Sequence, residues 1–448
     1  MNESMKVLVC GAGSRGDIHP LLGLADTLRR RGHDVHILLN PIYRDLAESH
    51  EFTFVPVGDA TEMSRLQEDP RASTYNHGWK QWLVQAAVRS MRPMHQAIVE
   101  NYEPNNTVLV GNYLAFGARM AHDHLGIPLA TVHMDAHTIR SINEVLALPF
   151  PGIFGSMVPR WYQHFQFWMI DRFWIDPLIA PAINQFRNEL RLPSVRRIAH
   201  DWWHSPQVSI GLYPNWWGSP QPDWPSQCVS SDFIFWDDGC HAELSADARQ
   251  FLSKGPRPIA FTPGTSNMHT TAYFSAAIEA CRQLGKRGII ITDRTDLVPV
   301  LPETMRCFNY VPFGPLLREL SLVVHHGGVG TSAQCIAAGL PQVVVPSLYN
   351  QPDTAKRLER LGVARSIAPE KFTARRLITG IQELLDNSSV QSRCAELASK
   401  VDRPRGQRLT GDIVESLCGT DVVSRYEAAA QNNLFKPDLD SLATGCSS

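Results

Sequence analysis

The chain has 448 residues, 44% of them hydrophobic, which is typical of two or three globular domains with sizeable cores. A formal net charge of -2, with the charges dispersed, excludes the basic surface that most nucleic-acid-binding proteins carry. Nine cysteines without a Cys-x-x-Cys pair favour reduced thiols over a disulfide framework. There is no apolar run near the roughly 20 residues of a membrane span, and no signal-peptide pattern at the start. We therefore expect a soluble, cytoplasmic protein.

Strands and helices are expected to alternate from the start of the chain. Residues 6–10 form a buried apolar run that enters a glycine turn at 11–19, and Pro20 then begins a helix. Two further strands are expected at residues 34–39 and 52–57, with a helix between them. This alternation predicts a parallel, doubly wound sheet.

The glycine turn supports two hypotheses. Its sequence at residues 11–16, GAGSRG, has the spacing of the dinucleotide fingerprint, but Asn40 replaces the acid required after the second strand. We therefore expect neither NAD nor FAD here. The turn also holds Asp17 and His19, two proton acceptors at the edge of the sheet where open α/β proteins keep their active sites. The alternatives are a helix cap for Asp17 and an ordinary loop side chain for His19.

Histidines and aspartates cluster around the next two expected strands, at residues 107–111 and 128–133. Such a cluster raises the hypothesis of a metal site. Its members do not make a closed ligand set, so we expect cleft-lining or solvated histidines and no bound metal. The cluster consists of His122, Asp123, His124, His133, Asp135 and His137.

Residues 150–236 hold most of the eleven tryptophans of the chain. Clustered aromatic side chains form either a core or an apolar pocket for a bulky hydrophobic substrate, and we expect both uses here. Asp171 and Arg172 argue against a membrane span and leave contact with a membrane surface open.

A second series of strands and helices begins near residue 258. A strand at 258–262 leads into a turn formed by Gly264, Thr265 and Ser266, and a helix follows at 272–284. The chain thus has two similar halves. We predict an N-terminal domain over residues 1–235, a C-terminal domain over residues 236–418 and a polar tail over residues 419–448.

The most informative stretch is residues 323–358, where an apolar strand enters the turn HHGGVGT and a helix is expected at 332–338. Gly327, Gly328 and Gly330 let the backbone approach a ligand closely, and the start of the helix attracts anions, so a diphosphate fits there. His325 is expected to donate a hydrogen bond to a phosphate oxygen, and the hydroxyl of Thr331 is expected to add another.

A polar pair follows one strand later. A strand at 342–346 is expected to deliver Asn350 and Gln351 to the start of a helix at 353–361, at the edge of the sheet where hydroxyl-rich ligands bind. The alternative is a plain βαβ unit whose glycines serve only packing. The paired histidines and the Asn-Gln pair favour ligand binding over that alternative.

These motifs resemble a known family. The pattern His-His-Gly-x-x-Gly-Thr with a downstream Gln, together with GSRGDIHP at residues 13–20, resembles the nucleotide-sugar glycosyltransferases that include plant UDP-glycosyltransferases and bacterial antibiotic and lipid glycosyltransferases. The resemblance runs from about residue 6 to residue 418 and implies the GT-B fold, in which two Rossmann-like domains face each other across a cleft. More narrowly, WHSPQ at 203–207 and PQPDWP at 220–225 resemble the bacterial rhamnosyltransferases of rhamnolipid synthesis.

The resemblance implies a role for each matching residue. Asp17 takes the position of the general base that removes the proton of the acceptor hydroxyl during an inverting transfer, with His19 as the second choice. The matched donor site comprises a diphosphate cradle (Gly264, Thr265, Ser266, His325, Gly327, Gly328, Gly330, Thr331), a nucleobase contact (Tyr310, Val311) and a sugar-binding pair (Asn350, Gln351).

The sequence departs from the family in two places. Asn350 replaces the usual acid before Gln351, which weakens the case for a glucose donor, and Asn112 lies near the place of the Asp that orients a catalytic His in plant enzymes. The resemblance implies a metal-independent transfer of rhamnose from dTDP-rhamnose to a hydroxylated lipid, without a further cofactor. Peripheral contact with the inner membrane is left open. The alternatives are a UDP-glucose-dependent enzyme with another hydrophobic acceptor, and a catalytically silent subunit.

Overall fold

The chain folds into two parallel β-sheets that are flanked by helices, which confirms the predicted α/β class with two Rossmann-like units. The structure is a computed structural model. It describes residues 4–69, 72, 78–144, 158–236, 243–264, 270–347 and 350–417. The predicted tail over 419–448 lies outside the described residues.

The first sheet has seven parallel strands in the order β3-β2-β1-β4-β5-β6-β7. Its central strands are almost fully buried, as expected for a sheet covered on both faces. The strands are β1 (Lys6–Cys10), β2 (Asp34–Leu39), β3 (Thr53–Pro56), β4 (Thr107–Asn112), β5 (Leu129–His133), β6 (Val208–Gly211) and β7 (Cys228–Ser230).

The second sheet has six parallel strands in the order β10-β9-β8-β11-β12-β13. The strands are β8 (Ile259–Thr262), β9 (Gly288–Ile291), β10 (Met305–Phe308), β11 (Leu322–His325), β12 (Gln342–Val344) and β13 (Ala364–Ser366).

Helices connect the strands of both sheets. In the first half they are α1 (Arg15–Arg30), α2 (Arg44–Glu48), α3 (Ala60–Glu68), α4 (Gly78–Gln81), α5 (Arg89–Asn101), α6 (Phe116–Leu125), α7 (Arg160–Ile170) and α8 (Asp176–Glu189), with π-helical segments at Trp82–Val88, Asp171–Ile175 and Ile198–Trp202. In the second half they are α9 (Ala246–Ser253), α10 (Thr271–Leu284), α11 (Phe313–Leu317), α12 (Val329–Ala337), α13 (Gln351–Arg360), α14 (Ala374–Leu385), α15 (Ser388–Ser399) and α16 (Arg403–Ser416).

The strand order places one crevice in each sheet. In the first sheet the order reverses between β1 and β4, and in the second sheet it reverses between β8 and β11. Ligands of open α/β sheets bind beyond the carboxyl ends of the strands at such a reversal. The turns after β1 and β11, which carry the motifs of the sequence, lie at these two points.

The start of α1 corrects one prediction. The helix begins at Arg15, five residues before Pro20, so the expected glycine loop over 11–19 is only a short turn. Ser14 caps the helix and forms a capping box with Asp17, which stabilises the first turn even though Pro20 contributes no backbone N–H. Local capping therefore outweighs the preference of proline for the first turn.

The last helix returns to the first sheet. In α16, Asp412 and Glu415 accept hydrogen bonds from Arg31 at 2.8 and 3.0 Å, and Val414 joins the core under β1. The C-terminal half therefore ends against the N-terminal sheet. The domain limits drawn from the sequence stay a prediction. In the described part of the chain, there is no helix with the length and apolar character needed to cross a membrane.

Candidate active site between the two sheets

Asp17 follows the turn after β1. It is the third residue of α1 and is half-buried. Its Oδ2 atom accepts hydrogen bonds from the backbone N–H of Ser14 at 2.8 Å and from the Ser14 hydroxyl at 2.9 Å. Burial raises the pKa of Asp17 above its usual value, while the bonds from Ser14 act in the opposite direction. A carboxylate with a raised pKa is a stronger base and a better proton acceptor for a hydroxyl group.

The turn before Asp17 requires a glycine. Gly13 has a φ of +124°, and a Cβ atom there would lie 2.5 Å from Oδ2 of Asp17. Asn112 at the end of β4 holds the same turn, because its side-chain amide donates to the carbonyl of Ala12 at 2.6 Å and accepts the N–H of Ala12 at 3.2 Å. The turn is thus fixed by β1 and β4 together.

His19 does not share a face with Asp17. Two residues along an α-helix turn a side chain by about 200°, so the two groups point in nearly opposite directions. The ring of His19 packs edge-to-face against Trp236, with 5.4 Å between the ring centroids. Asp17 is held by its hydrogen bonds from Ser14, whereas His19 packs against Trp236. The role of His19 as a second base stays a prediction.

The donor-side glycine turns lie at the carboxyl ends of β8 and β11. Gly264 has a φ of +72°, while Thr265 and Ser266, the other two predicted members of that turn, lie outside the described residues. The nucleobase pair follows β10, where Tyr310 is 55% exposed and Val311 is buried.

Both ring nitrogens of His325 bind groups of the protein itself. Its ring is fully buried, its Nε2 atom pairs with Oε1 of Gln342 at 2.9 Å, and its Nδ1 atom accepts the N–H of Gly327 at 3.0 Å. Burial lowers the pKa of His325 to about 3, so the ring is neutral. Since both ring nitrogens are engaged, His325 shapes the turn, and the direct phosphate bond predicted for it is not available in this conformation.

The neighbouring His326 lies against the glycines of both turns. A Cβ atom on Gly264 would collide with its ring, and a Cβ atom on Gly328 would lie 2.7 Å from its Nε2 atom. The ring of His326 therefore occupies the space between the turns after β8 and β11. The sequence contained this residue as half of the His-His pair, and the structure gives the two histidines different surroundings.

The first turn of α12 has the geometry that the predicted anion site requires. The helix begins at Val329, three residues earlier than expected, so that Gly330 and Thr331 belong to its first turn. Among the described residues, no side chain caps this end, and a Cβ atom on Gly330 would meet none of their atoms within 4 Å. Backbone N–H groups at such an end favour a negatively charged ligand.

The polar pair after β12 joins the two halves of the chain. Asn350 caps α13, and its side-chain amide donates to Oδ1 of Asp135 at 2.8 Å. Oε1 of Gln351 accepts the backbone N–H of Ser347 at 2.7 Å, and its Cβ atom packs next to Gly327. The two predicted sugar-binding residues therefore lie beside the glycine turn, and one of them reaches the first sheet.

A buried arginine forms a second link between the halves. Arg357 on α13 is 1% exposed and binds Asp353 at 2.6 Å, Glu144 at 3.1 Å and the carbonyl oxygen of Trp217 at 2.8 Å. Two of these partners precede the second sheet in the chain. The network fixes α13, and with it Asn350 and Gln351, against the N-terminal half.

The histidine cluster separates into two groups. His133 is buried at the end of β5 and pairs with Thr138 at 2.8 Å, whereas His124 on α6 pairs with His95 at 3.1 Å. Asp123 forms ion pairs with Arg119 and Arg187. Among the described residues, no group of three or more His, Cys, Asp or Glu side chains could hold a metal ion. Independence from metal stays a prediction.

Asp135, which the sequence placed only within the histidine cluster, lies next to the predicted sugar-binding pair. It lies two residues beyond β5, is 5% exposed and faces the cleft through its bond to Asn350. Burial raises the pKa of Asp135 to about 7, and the charges of Asp17 and Asp353 act in the same direction. Its position after a central strand was the only sequence signal available.

The tryptophan-rich segment contains both buried and exposed tryptophan side chains. Trp202, Trp203 and Trp217 are buried in the cores, whereas Trp161 and Trp168 on α7 are 71% and 44% exposed. A separate small pocket of about 30 Å³ is lined by Gly13, Tyr43, Met63 and Ala86, among other residues.

Comparison with known proteins supports this reading of the two halves. Residues 7–143 match the model of the glycosyltransferase family 28 N-terminal domain, and residues 282–416 match that of the erythromycin biosynthesis protein CIII-like C-terminal domain. The O-mycaminosyltylonolide 6-deoxyallosyltransferase of Streptomyces fradiae is 25% identical over 439 residues, which cover 93% of this chain and 98% of the relative.

Solved structures agree in fold. The glycosyltransferase of kitacinnamycin superposes with a TM-score of 0.72 at 20% identity and covers 93% of this chain and all of its own. The glycosyltransferase VinC, solved in complex with DTDP, has a TM-score of 0.68 at 19% identity and covers 92% of this chain and 99% of its own. The narrower resemblance to rhamnolipid rhamnosyltransferases stays a prediction, since these relatives are of the antibiotic type. The chain is a glycosyltransferase of the GT-B fold, similar to the family 28 N-terminal domain in its first half and to the EryCIII-like C-terminal domain in its second half.

Proposed function

We propose that the chain is an inverting, metal-independent glycosyltransferase that transfers rhamnose from dTDP-rhamnose to a hydroxyl group of a hydrophobic lipid such as a hydroxyalkanoyloxyalkanoate. One observation carries the proposal: Asp17, the anion site of α12 and the polar pair at 350–351 are brought to the carboxyl edges of two sheets that Asn350 and Asp135 connect. An acceptor, a base and an activated sugar can meet at this place.

The reaction is a single displacement. Asp17 accepts the proton of the acceptor hydroxyl while that oxygen attacks the anomeric carbon of the sugar. The bond between the anomeric carbon and the diphosphate oxygen breaks, and the nucleoside diphosphate leaves with the bonding electrons. The first turn of α12 and His326 stabilise the charge that develops on the departing phosphate. Asp17 then releases its proton to water.

The choice of donor rests on two arguments. The relative from Streptomyces fradiae is named for the transfer of a 6-deoxy sugar, and VinC was solved with DTDP. Rhamnose is also a 6-deoxy sugar, and Asn350 stands where a carboxylate is usual in enzymes of the glucose-transferring kind. In the proposed donor complex Tyr310 and Val311 contact the nucleobase, and Asn350 and Gln351 contact the sugar.

The histidine pair offers a test of the diphosphate site. We expect His326→Ala to weaken dTDP binding about tenfold or more, since a hydrogen bond to a charged group contributes about 1.5–3 kcal/mol. His325→Ala should instead lower the free energy of unfolding by about 2–4 kcal/mol, because it leaves Gln342 and the N–H of Gly327 without partners. Calorimetry with dTDP and thermal denaturation measure the two effects.

The two variants control for each other. Weakened dTDP binding by His325→Ala at unchanged stability, with His326→Ala behaving as the wild type, would show that His325 contacts the phosphate directly. That result would replace the assignment based on the buried ring of His325.

We also propose that the protein meets its lipid acceptor at a membrane surface. The outward face of residues 160–175 presents six aromatic side chains together with Arg160 and Arg172, and Asp171, the acid within this segment, is buried against Arg140. An aromatic and basic helix face is suited to the headgroup region of an anionic bilayer. The aromatic residues are Trp161, Tyr162, Phe165, Trp168, Phe173 and Trp174.

This surface predicts binding to vesicles. The wild-type chain should sediment with vesicles that contain phosphatidylglycerol, and the triple variant Trp161→Ala, Phe165→Ala, Trp168→Ala should bind at least tenfold more weakly, because burial of each large apolar side chain contributes about 1.5–3 kcal/mol. The matched variant Trp161→Phe, Trp168→Phe keeps the apolar area and should retain most of the binding. Equal sedimentation of all three proteins would refute the membrane surface.

The proposed reaction is tested with a substrate panel. The purified chain is incubated in the presence of EDTA with dTDP-rhamnose, UDP-glucose and other nucleotide sugars, each with 3-hydroxyacyl acceptors, and products are identified by mass. We expect a rhamnosylated acyl chain. Transfer from UDP-glucose alone would favour the alternative donor, and nucleotide binding without any product would favour the silent subunit.

A further inference from the structure

Asp135 and Asn350 form a polar pair across the cleft. Asp135 follows β5 in the first sheet, Asn350 caps α13 in the second half, and their side chains are 2.8 Å apart. The amide of Asn350 donates to Oδ1 of Asp135. The second oxygen, Oδ2, has no hydrogen-bond partner among the residues that the structure describes.

A purely structural role explains this arrangement poorly. Asp135 is 5% exposed, and a buried carboxylate with a single neutral partner is costly unless a further group satisfies it. Three charged side chains act on the carboxylate of Asp135. Asp17 and Asp353 are acidic, and Arg357 is bound to Asp353 and Glu144. Tyr213 is also near, buried and neutral because burial raises the pKa of its phenol. Among the described residues, the carboxylate therefore has one hydrogen-bond partner, the amide of Asn350.

The position of Asp135 matches a need of the donor site. A sugar held by Asn350 and Gln351 presents several hydroxyl groups, and a carboxylate is a strong acceptor for them. The 350–351 pair consists of two amides and contains no carboxylate. Asp135, which follows a strand of the first sheet, places a carboxylate beside this pair.

We propose that Asp135 is a sugar-binding residue, which orients Asn350 through Oδ1 and accepts a hydrogen bond from a hydroxyl group of the donor sugar through Oδ2. This inference rests on the proposed function, because it presupposes a nucleotide sugar at the edge of the second sheet. Residues from both sheets then contact the sugar. The choice of donor sugar therefore depends on the relative position of the two halves.

The Asp135→Asn variant tests the assignment. Asparagine has the same shape and can still accept the bond from Asn350, but it carries no charge. Calorimetry should give an affinity for dTDP within twofold of the wild type and an affinity for dTDP-rhamnose that is 10- to 100-fold lower. In turnover assays the KM for the donor should rise more than kcat falls.

The pH dependence supplies a second readout. Because the pKa of Asp135 is about 7, its carboxylate becomes protonated as the pH falls below 7, and the affinity of the wild type for dTDP-rhamnose should fall with it. In Asp135→Asn this decline should be absent, whereas the affinity for dTDP should vary with pH alike in both proteins. A merely structural residue would not separate dTDP from dTDP-rhamnose in this way.

An exchange of the two side chains tests the pair itself. Asn350→Asp places two carboxylates against each other and should weaken dTDP-rhamnose binding strongly. The double variant Asp135→Asn, Asn350→Asp restores one acid and one amide, and should recover at least tenfold of the affinity lost in Asn350→Asp. Asp232→Asn is the matched control, because Asp232 is also buried with a pKa raised to about 6 but contacts the backbone N–H of Phe233. It should leave both affinities unchanged.

The outcomes are distinct. The inference is overturned if Asp135→Asn leaves dTDP-rhamnose binding unchanged, or if it weakens dTDP and dTDP-rhamnose equally. Failure of the proposed function appears in the wild type instead, as a preference for another nucleotide sugar in the panel. The same variants are then compared on that sugar and on its free nucleoside diphosphate.

Discussion

The Asp17→Asn variant is expected to lose about 10²- to 10⁴-fold in kcat, the range for removal of a general base. Asparagine cannot accept the proton of the acceptor hydroxyl, while the donor site on the second sheet is untouched. Binding of dTDP, measured by calorimetry, should stay within about twofold of the wild type. Transfer rates are followed by release of dTDP or by product mass.

A structural effect of Asp17 has to be separated from this chemical one. Asp17 also belongs to the capping box of α1, and the loss of a cap costs about 0.5–2 kcal/mol. Ser14→Ala is the matched control, because it removes the hydroxyl bond to Asp17 and leaves the carboxylate in place. It should keep most of the activity at a similarly reduced stability. Equal turnover of Asp17→Asn and the wild type would eliminate Asp17 as the base.

The Arg357→Met variant is expected to lower the free energy of unfolding by about 3–5 kcal/mol, the usual effect of breaking a buried ion pair. Arg357 is 1% exposed, and its removal leaves Asp353 buried next to Asp135 without the opposite charge. Donor binding should weaken with it, because α13 carries Asn350 and Gln351. The midpoint of urea denaturation and calorimetry with dTDP-rhamnose measure the two effects.

Arg360→Met provides the comparison for Arg357. Arg360 is half exposed and binds the same carboxylate, Glu144, at 2.8 Å. An exposed ion pair contributes about 0–1 kcal/mol, so this variant should stay close to the wild type. A similar small change in both variants would mean that the buried network does not hold the two halves together.

The strands could be predicted from the sequence with good accuracy. The expected limits of β1 and β2 agree with the structure, and those of β3, β4, β5, β8 and β12 differ by one or two residues. The short strands β6, β7 and β13 were not expected from the sequence. The reason is physical, since strands buried on both faces are short apolar runs bounded by turn residues. Two similar series of such runs were enough to predict two parallel sheets.

The helices were harder to predict because caps and distant packing set their limits. Ser14 and Asp17 begin α1 before Pro20, and the uncapped α12 begins within the glycine turn. The polar helix α16 has no amphipathic pattern clear enough to show that it packs against α1. Its position depends on Arg31 and Val414, which are almost four hundred residues apart in sequence.

The site was predictable as far as its local motifs reach. Asp17 and the glycines of residues 327–330 could be singled out as candidates because a turn after a strand and a glycine-rich helix start are short, contiguous patterns. The separate positions of His325 and His326 depend on Gln342, and the pairing of Asp135 with Asn350 spans the two sheets. Such contacts are determined by the fold, and the sequence contains no local signal for them.

The central claim is that one base and one donor site act together in a single displacement, and the stereochemistry of the product tests it most directly. The anomeric configuration of the transferred sugar is compared by proton NMR with that of the nucleotide sugar from which it came. Attack from the face opposite to the diphosphate predicts inversion of the anomeric centre. A product with retained configuration would contradict the account, because it would require a glycosylated intermediate or attack from the same face.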